Sequence, residues 1–393
     1  MTREIEELIN RPNEVTRKKN ANVRVILGMS GGVDSSVCAA LLKEQGYEVI
    51  GLFMKNWEEN DQFGVCLASK EFEDVKKVCE VLDISCYSLD FVEEYQKNVF
   101  QHFLAEYKKG HTPNPDIFCN REIKFKVFYE KARALGASFL ATGHYCQKIN
   151  MNGHITLLKG ADGGKDQSYF LYTIKEEVLE NVLFPIGHLK KREVRLLAKY
   201  FDLPTHDKKD STGICFIGER NFKNFLSQYL AIQPGKFKKL DGEVVGEHSG
   251  MAYYTKGQRK GLGLGGAGEA WFVVDKDPLL NIVYVERGEN HPALFSHSLT
   301  CDEFYFVDAK FNDGIKSFKC KAKIRYRQEE VDCEVHFFPD GTGRVYFPEA
   351  QRAITERQAI VFYQGDICLG GATILTAGPS LIATKDHHHQ NLS

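Results

Sequence analysis

The stretch SGGVDSS, Ser30 to Ser36, lies between an apolar run, VRVILGM, and a helix-patterned run, SSVCAALLKEQG. A glycine- and serine-rich loop that leaves a strand and opens a helix is a setting in which backbone N–H groups and the helix dipole hold phosphate. It restricts the chain strongly, because strand–loop–helix units of this kind build parallel sheets. The alternation continues downstream. YEVIGLFM reads as the next strand, FEDVKKVCEVLD as a helix, ISCYSLDF as a third strand, KVFYEKARALGA as a helix and SFLATGHY as a further strand. The first helix is expected to place Val37, Ala40 and Leu41 on one face and to close at Gly46. The expected fold class is therefore α/β with a doubly wound parallel sheet, whose ligands sit beyond the carboxyl ends of the strands.

At 393 residues the chain has room for two or three domains. Near residue 220 the pattern changes to one helix, RNFKNFLSQYL, followed by turns and short strands, and from about His291 to Ala377 short strands alternate with turns such as NDG and PDGTG. The expected division is a catalytic α/β domain over 1–219, a small mixed central domain over 220–290, a C-terminal all-β barrel over 291–378 and an unstructured tail over 379–393.

A formal net charge of −2 does not mark the chain as a nucleic-acid or membrane binder, so a polyanion would have to meet a local basic cluster. The charged N-terminus lacks the apolar core of a signal peptide, and no run approaches the length of a membrane span. The expectation is a cytoplasmic protein without a membrane partner. Its 11 cysteines should then be reduced thiols, and none form a C-x-x-C pair of the kind that holds zinc or exchanges disulfides.

The loop has neither the lysine of G-x-x-x-x-G-K-[ST] nor the G-x-G-x-x-G spacing of a dinucleotide fold. Ser-Gly-Gly-x-Asp-Ser-Ser instead resembles the loop of the ATP pyrophosphatase (PP-loop) superfamily, which cleaves ATP between its α and β phosphates and adenylates a substrate. Asp34 then reads as the partner of Mg²⁺ on the departing pyrophosphate, since a carboxylate facing phosphate oxygens needs a hard cation between them. The plainer alternative is that Asp34 and Ser30 cap the helix. A second glycine pattern, Gly261, Gly263 and Gly266, precedes the strand-like AWFVVD rather than a helix and reads as a loop.

Most cysteines lie in helix- or strand-like surroundings and read as inert. Cys119, in HTPNPDIFCNREIKF, is expected in a loop made by its prolines and asparagines, with Asp116 before it and Arg121 after it. Cys215, in KKDSTGICFIGER, is bracketed by Lys208, Lys209, Asp210, Gly213 and Gly218. Cationic neighbours on a flexible loop favour the thiolate. Asp116 reads as a general acid or base, or as the cap of an Asx-type turn.

GMSGGVDSS, LFMKNWEE, TPNPDIFCN, ATGHY, KDQSYFLY, KDSTGICFIGER, GQRKGLG and YRQ occur in the order known for the bacterial tRNA-specific 2-thiouridylases, and the likeness runs from about Val23 to Ala377. The resemblance implies that sulfur replaces O2 of the wobble uridine in tRNAs for lysine, glutamate and glutamine. It implies ATP on Gly28, Met29, Ser30, Gly31, Gly32, Val33, Asp34 and Ser35, with Met54 and Gly143 beside the adenosine, and Asp34 as the Mg²⁺ ligand. It implies adenylation of O2 and a persulfide on Cys215, loaded by a sulfur-relay protein or a cysteine desulfurase. Cys119 would release the sulfur or resolve the persulfide as a disulfide with Cys215, and Asp116 would move protons. Asn114, Pro115, Asp116, Lys165, Asp166 and Gln167 would surround a flipped-out base, and His144, Arg325, Tyr326 and Gln358 would touch the tRNA. The expected state is a monomer.

The local basic cluster is KSFKCKAKIRYRQ. Read as one strand, it places Lys319, Lys321, Lys323, Arg325 and Arg327 on one face at intervals of about 6.6 Å, a stripe for RNA or the lysine-bearing edge that keeps strands from aggregating. Lys256, Arg259 and Lys260, with Lys236, Lys238 and Lys239, would extend it. One departure stands out: Thr355, Glu356 and Arg357 precede Gln358 where the family commonly has Thr-Pro-Gly. Rival readings are an amine-using PP-loop enzyme such as a lysidine or GMP synthetase, an RNA-binding protein whose loop only senses ATP, and a redox switch on Cys119 and Cys215.

Overall fold

The computed structural model describes residues 2–58, 67–210, 222–230, 233–307 and 314–382. Cys215 and the end of the tail lie outside them. Two compact units emerge: one of residues 1–100, 116–219 and 365–369, the other of 101–115, 220–364 and 370–393.

The first unit is built on a five-stranded sheet of order β3-β2-β1-β4-β7, with β1 Arg24–Met29, β2 Glu48–Lys55, β3 Ser85–Asp90, β4 Phe139–Ala141 and β7 Val182–Leu183. Every pairing is parallel; the central strand β1 is covered on both faces, while the edge strand β3 is largely exposed. The chain runs outward from β1 to β2 and β3, then returns to β4 on the other side of β1. That reversal opens a crevice at the carboxyl ends of β1 and β4.

The helix Val33–Glu44 differs from expectation. Instead of one buried face, Val33 and all of Ser35 to Leu42 are buried, because the helix is enclosed by the core that also takes Val75, Val78, Val194 and Leu197. A helix apolar all round belongs in such an interior. Its C-terminal Gly46 has φ +89°, where a side chain would also strike Arg17. The N-terminal helix Thr2–Ile9 buries Ile5 and Ile9 in the same core. An antiparallel hairpin, β5 Cys146–Met151 with β6 His154–Lys159, follows β4 and has no counterpart in the sequence reading; Leu157 and Leu158 of β6 also pair with Cys368 and Ile367.

The second unit holds two sheets. A four-stranded one, of order β10-β11-β8-β9, comprises β8 Gly235–Lys238, β9 Val244–His248, β10 Trp271–Asp277 and β11 Ile282–Arg287, packed around Phe237, Tyr254, Val273 and Val283. Gly261, Gly263 and Gly266 take positive φ in the loop before β10, which suits a turn and not a helix-opening phosphate loop. The other sheet closes into a six-stranded barrel: β12 Phe295–Phe306, β15 Gly343–Arg352, β14 Val331–Phe337, β13 Ser317–Lys323, β16 Ala359–Gln364 and β17 Ile367–Ala377, with β17 returning to β12. Closure leaves no exposed edge.

Two local expectations are corrected. The residues NPDIFCN do not all form a loop: a helical turn, Pro115–Phe118, leads into a π-helical segment, Cys119–Phe128. Pro115 is at home there because the first helical N–H has no partner anyway. The basic stripe also stops early, since β13 ends at Lys323 and the chain turns, with Gln328 N–H reaching back to Arg325 O. Arg325 and Arg327 therefore do not continue the face of Lys319 and Lys321.

Candidate active site

Gly28 and Met29 end β1, and Ser30 to Ser35 carry the chain into the helix Val33–Glu44. Gly31 has φ +69°, and a Cβ on it would lie 2.7 Å from Glu71 O, so only glycine makes this turn. The helix N-cap is Gly32, and no side chain caps it. The polar side chains of the loop are thus not spent on the cap: Ser30 and Ser35 hydroxyls face each other at 3.4 Å, and Ser36 Oγ donates to Gly32 O at 2.8 Å. Met54 lies near the end of β2 on one side of β1; Gly143 lies beyond β4 on the other, where a Cβ would come within 3.2 Å of Ser35 N.

Asp34 is held from two distant parts of the chain. Tyr145 Oη donates to it at 2.7 Å, and Lys191 Nζ approaches its two oxygens at 2.7 and 2.8 Å. Lys191 also reaches Asp210 at 2.9 Å, and Asp210 gathers Lys165 at 2.7 Å and Arg195 at 2.7 Å. Partial burial pushes the Asp210 carboxyl up, but hydrogen bonds from Lys165 and Lys191 outweigh it and bring the pKa down to about 2. Lys208 Nζ adds bonds to Gly31 O at 2.9 Å and Asp74 at 2.7 Å. The glycine loop is thus flanked by Lys191 and Lys208 although its own motif contains no cation. Lys191 and Tyr145 escaped the sequence reading as partners of Asp34, as did Asp210 as the second carboxylate on Lys191; they lie beyond the loop's own motif.

The thiol side of the unit is built from the segment 115–128. Asp116 lies in the short helical turn and Cys119, three residues on, opens the π-helical segment. Cys119 is 3% exposed. Burial raises the Asp116 carboxyl above its ordinary range, with Lys124 opposing. Lys124 also stands 3.5 Å from His144 Nε2, while His144 Nδ1 meets Thr142 Oγ1 at 2.9 Å. Burial and the Lys124 charge hold the His144 ring well below its usual pKa, hence neutral at pH 7. Arg121 pairs with Glu122 at 2.8 Å and lies over Phe118. Consecutive residues join the two sides: Gly143 abuts Ser35, His144 meets Lys124, and Tyr145 meets Asp34.

The KDQ residues divide their tasks. Lys165 belongs to the Asp210 cluster. Asp166, buried, accepts from Gly160 N, Ser168 N and Ser168 Oγ at 3.0 to 3.1 Å, and Gln167 Oε1 accepts from Tyr145 N at 3.0 Å. In the second unit Asn114 precedes the helical turn that Pro115 opens. There Arg325 donates to Lys256 O, Ala353 O and Thr355 Oγ1 at 2.8 to 3.2 Å, with Tyr326 next to it in the turn, and Gln358 Nε2 donates to Thr112 O. Arg357 takes the glycine-like φ of +63° and its guanidinium pairs with the buried Glu106 at 3.2 Å, so the turn forms without the usual Pro-Gly. Lys256 pairs inward with Asp275 and Glu356, whereas Arg259 and Lys260 are exposed.

Among the described residues no cluster of three His, Cys, Asp or Glu could hold a metal, and no helix is long and apolar enough to cross a membrane. A Mg²⁺ bound with a nucleotide needs less from the protein, since phosphate oxygens and retained waters fill most of its sphere and one carboxylate suffices. Asp34, a hard donor with about a third of its side chain exposed, fits that need.

Fold and site together define a PP-loop type nucleotide-binding domain joined to a small central domain and a closed β-barrel. Matching family models describe the parts as a tRNA methyl transferase HUP domain over 23–219, a tRNA methyl transferase PRC-barrel domain over 223–287 and an aminomethyltransferase beta-barrel domain over 296–374. The tRNA-specific 2-thiouridylase MnmA of Protochlamydia amoebophila is 57% identical over 92% of this chain and 96% of its own length, and that of Listeria monocytogenes 54% over 91% and 96%. The chain belongs to the tRNA-specific 2-thiouridylase family. Among the solved structures with some likeness, a U34-tRNA thiolase NcsA from Methanococcus maripaludis, with its [4Fe-4S] cluster, is 19% identical over 58% of this chain and 71% of its own, with a TM-score of 0.36.

Proposed function

We propose that the protein thiolates C2 of the wobble uridine in tRNAs for lysine, glutamate and glutamine, using ATP. Family membership supports the reaction class, and one observation carries the nucleotide part: a glycine loop at the switch point of a parallel sheet, with an uncapped helix N-terminus and a carboxylate facing it. The family models speak of methyl transfer, but the relatives alike over nearly their whole length are named thiouridylases, and we follow those.

The uridine O2 attacks the α-phosphorus of ATP; the bond from that phosphorus to the α–β bridging oxygen breaks, and pyrophosphate leaves with the electron pair. Gly28 to Ser35 bind the phosphates, with Met54 and Gly143 flanking the adenosine; Asp34 would hold Mg²⁺, which would supply charge neutralisation for the departing group. Sulfur arrives as a persulfide on Cys215 from a donor protein. Either Cys119 thiolate attacks the inner sulfur and releases hydrosulfide, which adds at C2, or the outer sulfur adds first and Cys119 resolves the intermediate. In both routes AMP leaves, and a Cys119–Cys215 disulfide remains that a two-electron thiol reductant must open. Asp116, its pKa raised by burial, is suited to shuttle the proton at O2 and sulfur. His144, Asn114, Pro115, Lys165 and Gln167, with Tyr326 and Gln358, complete the proposed tRNA-binding set, and Asp166 and Arg325 support it by bracing their own loops. We assign catalysis to 1–219, tRNA contacts to 220–290 and to the barrel 291–378, a monomeric state and a cytoplasmic setting.

The test is to incubate the protein with ATP, Mg²⁺, a persulfide donor and unmodified lysine tRNA, and to quantify 2-thiouridine by nucleoside mass spectrometry. Wild type should make it; Cys119→Ser and Cys215→Ser should not. AMP formed with no thiolated base, unaffected by either serine, would overturn the sulfur chemistry and leave a different PP-loop activity.

A further inference from the structure

The glycine loop lacks a lysine of its own, yet a partly buried ammonium stands on its aspartate. Lys191 Nζ lies 2.7 Å from Asp34 and 2.9 Å from Asp210, with its side chain only 13% exposed. Lys191 is the first residue of the helix Lys191–Tyr200, and its position is pinned twice. Its backbone N–H donates to Asp162 at 2.9 Å, and the preceding Lys190 N–H donates to the Glu193 side chain at 2.7 Å, tying the N-cap to the first turn. Val194 and Leu197 anchor the helix in the core beneath.

A lysine whose backbone is fixed, but whose ammonium is shared between two carboxylates, can turn toward a new anion without moving its helix. Losing Asp34 leaves it paired with Asp210, so the move exposes no unpaired buried charge. We propose that Lys191 is the loop's missing phosphate lysine: it binds the β and γ phosphates of ATP and takes up charge as the bond from the α-phosphorus to the bridging oxygen breaks and pyrophosphate departs. Asp210 acts as the positioning residue that holds the ammonium at the loop. The inference rests on the ATP reading given above and adds to it a named cation. A donor aimed where charge develops in the transition state lowers the barrier, while one that merely ties two elements together does not.

The deciding measurement is calorimetric binding of Mg²⁺-pyrophosphate and, separately, of AMP to the full chain, for wild type and Lys191→Met. Loss of one charge-assisted contact should weaken pyrophosphate about 10- to 100-fold and leave AMP within about twofold, since AMP lacks the groups in question. Lys191→Arg should restore most of the pyrophosphate affinity, and kcat for AMP formation should fall in Lys191→Met more than KM for tRNA changes. If Lys191→Met does not fold, Lys191→Gln, which keeps a donor for Asp34, reads the same ratio. Equal weakening of pyrophosphate and AMP, or none of either, would overturn the assignment. Wild type that binds neither ligand would instead remove the ATP reading, and this inference with it.

Discussion

Tyr145 Oη donates a 2.7 Å hydrogen bond to Asp34, across 111 residues of sequence. Burial, and then the charge of Asp34, drive the phenol well above its ordinary pKa, so it remains a donor at any working pH. The bond fixes the direction of a carboxylate that Lys191 also holds. Tyr145→Phe removes only that bond and keeps the packed ring, so the fold should survive. We expect AMP formation to fall by about tenfold, toward the lower end for a hydrogen bond to a charged acceptor. Steady-state rates with saturating tRNA would show it; an unchanged rate would mean the tyrosine only packs.

Neighbouring glycines in the loop should respond differently. Gly31→Ala forces a side chain into φ +69° with its Cβ 2.7 Å from Glu71 O, whereas at Gly32 the nearest atom is Ser30 Oγ at 3.4 Å and φ is −94°. Gly31→Ala should lower stability by about 1–3 kcal/mol and abolish nucleotide binding. Gly32→Ala should unfold at the wild-type urea concentration while still weakening ATP, because its Cβ would intrude where backbone meets phosphate. Parallel urea melts and ATP titrations separate the two effects.

Much of the first domain was legible because it is local. Strand and helix periods, and the loop between VRVILGM and SSVCAALLKEQG, announce a parallel doubly wound sheet, and short strands spaced by NDG and PDGTG announce a barrel. What was not legible is what distance in sequence hides. Asp34 is completed by Lys191, 157 residues on, and a lysine at the start of an amphipathic helix reads locally as a solvated charge. The stripe through KSFKCKAKIRYRQ was misjudged because alternation alone cannot say where a strand ends; the turn closed between Arg325 and Gln328 ends it. Asp166 shows the converse: a residue in a functional motif whose carboxylate satisfies three local donors.

Asp210 makes a pH prediction. Despite some burial, bonds from Lys165 and Lys191 hold its folded pKa at about 2, below the unfolded value of about 3.9. The unfolded chain therefore binds the proton first as pH falls. The stabilisation is fully present above about pH 5 and is lost on the way down through about pH 2; because the carboxylate is partly open to solvent, screening holds it to about 1 kcal/mol. Asp210→Asn should be less stable than wild type at pH 7, and the gap should close as the melts are taken to low pH. A gap that stayed constant would place the effect in packing and not in charge.

The basic residues of the barrel should separate into RNA contacts and structural cations. Lys319 and Lys321 are exposed on alternate positions of β13, Lys321 being 3.6 Å from Asp332. Lys323, by contrast, lies over the Tyr363 ring and near Glu330, and Arg325 is committed to carbonyls of Lys256 and Ala353. If tRNA lies along the exposed face, Lys319→Ala and Lys321→Ala should each weaken it and reduce the slope of log affinity against log salt by roughly one. Arg325→Ala should leave that slope in place and instead cost about 1–3 kcal/mol of stability, because three buried acceptors lose their donor. Filter binding across a salt series, read beside thermal melts, tells the two roles apart. A slope that falls for Arg325→Ala and not for the lysines would move the RNA from the face of β13 to the turn that follows it.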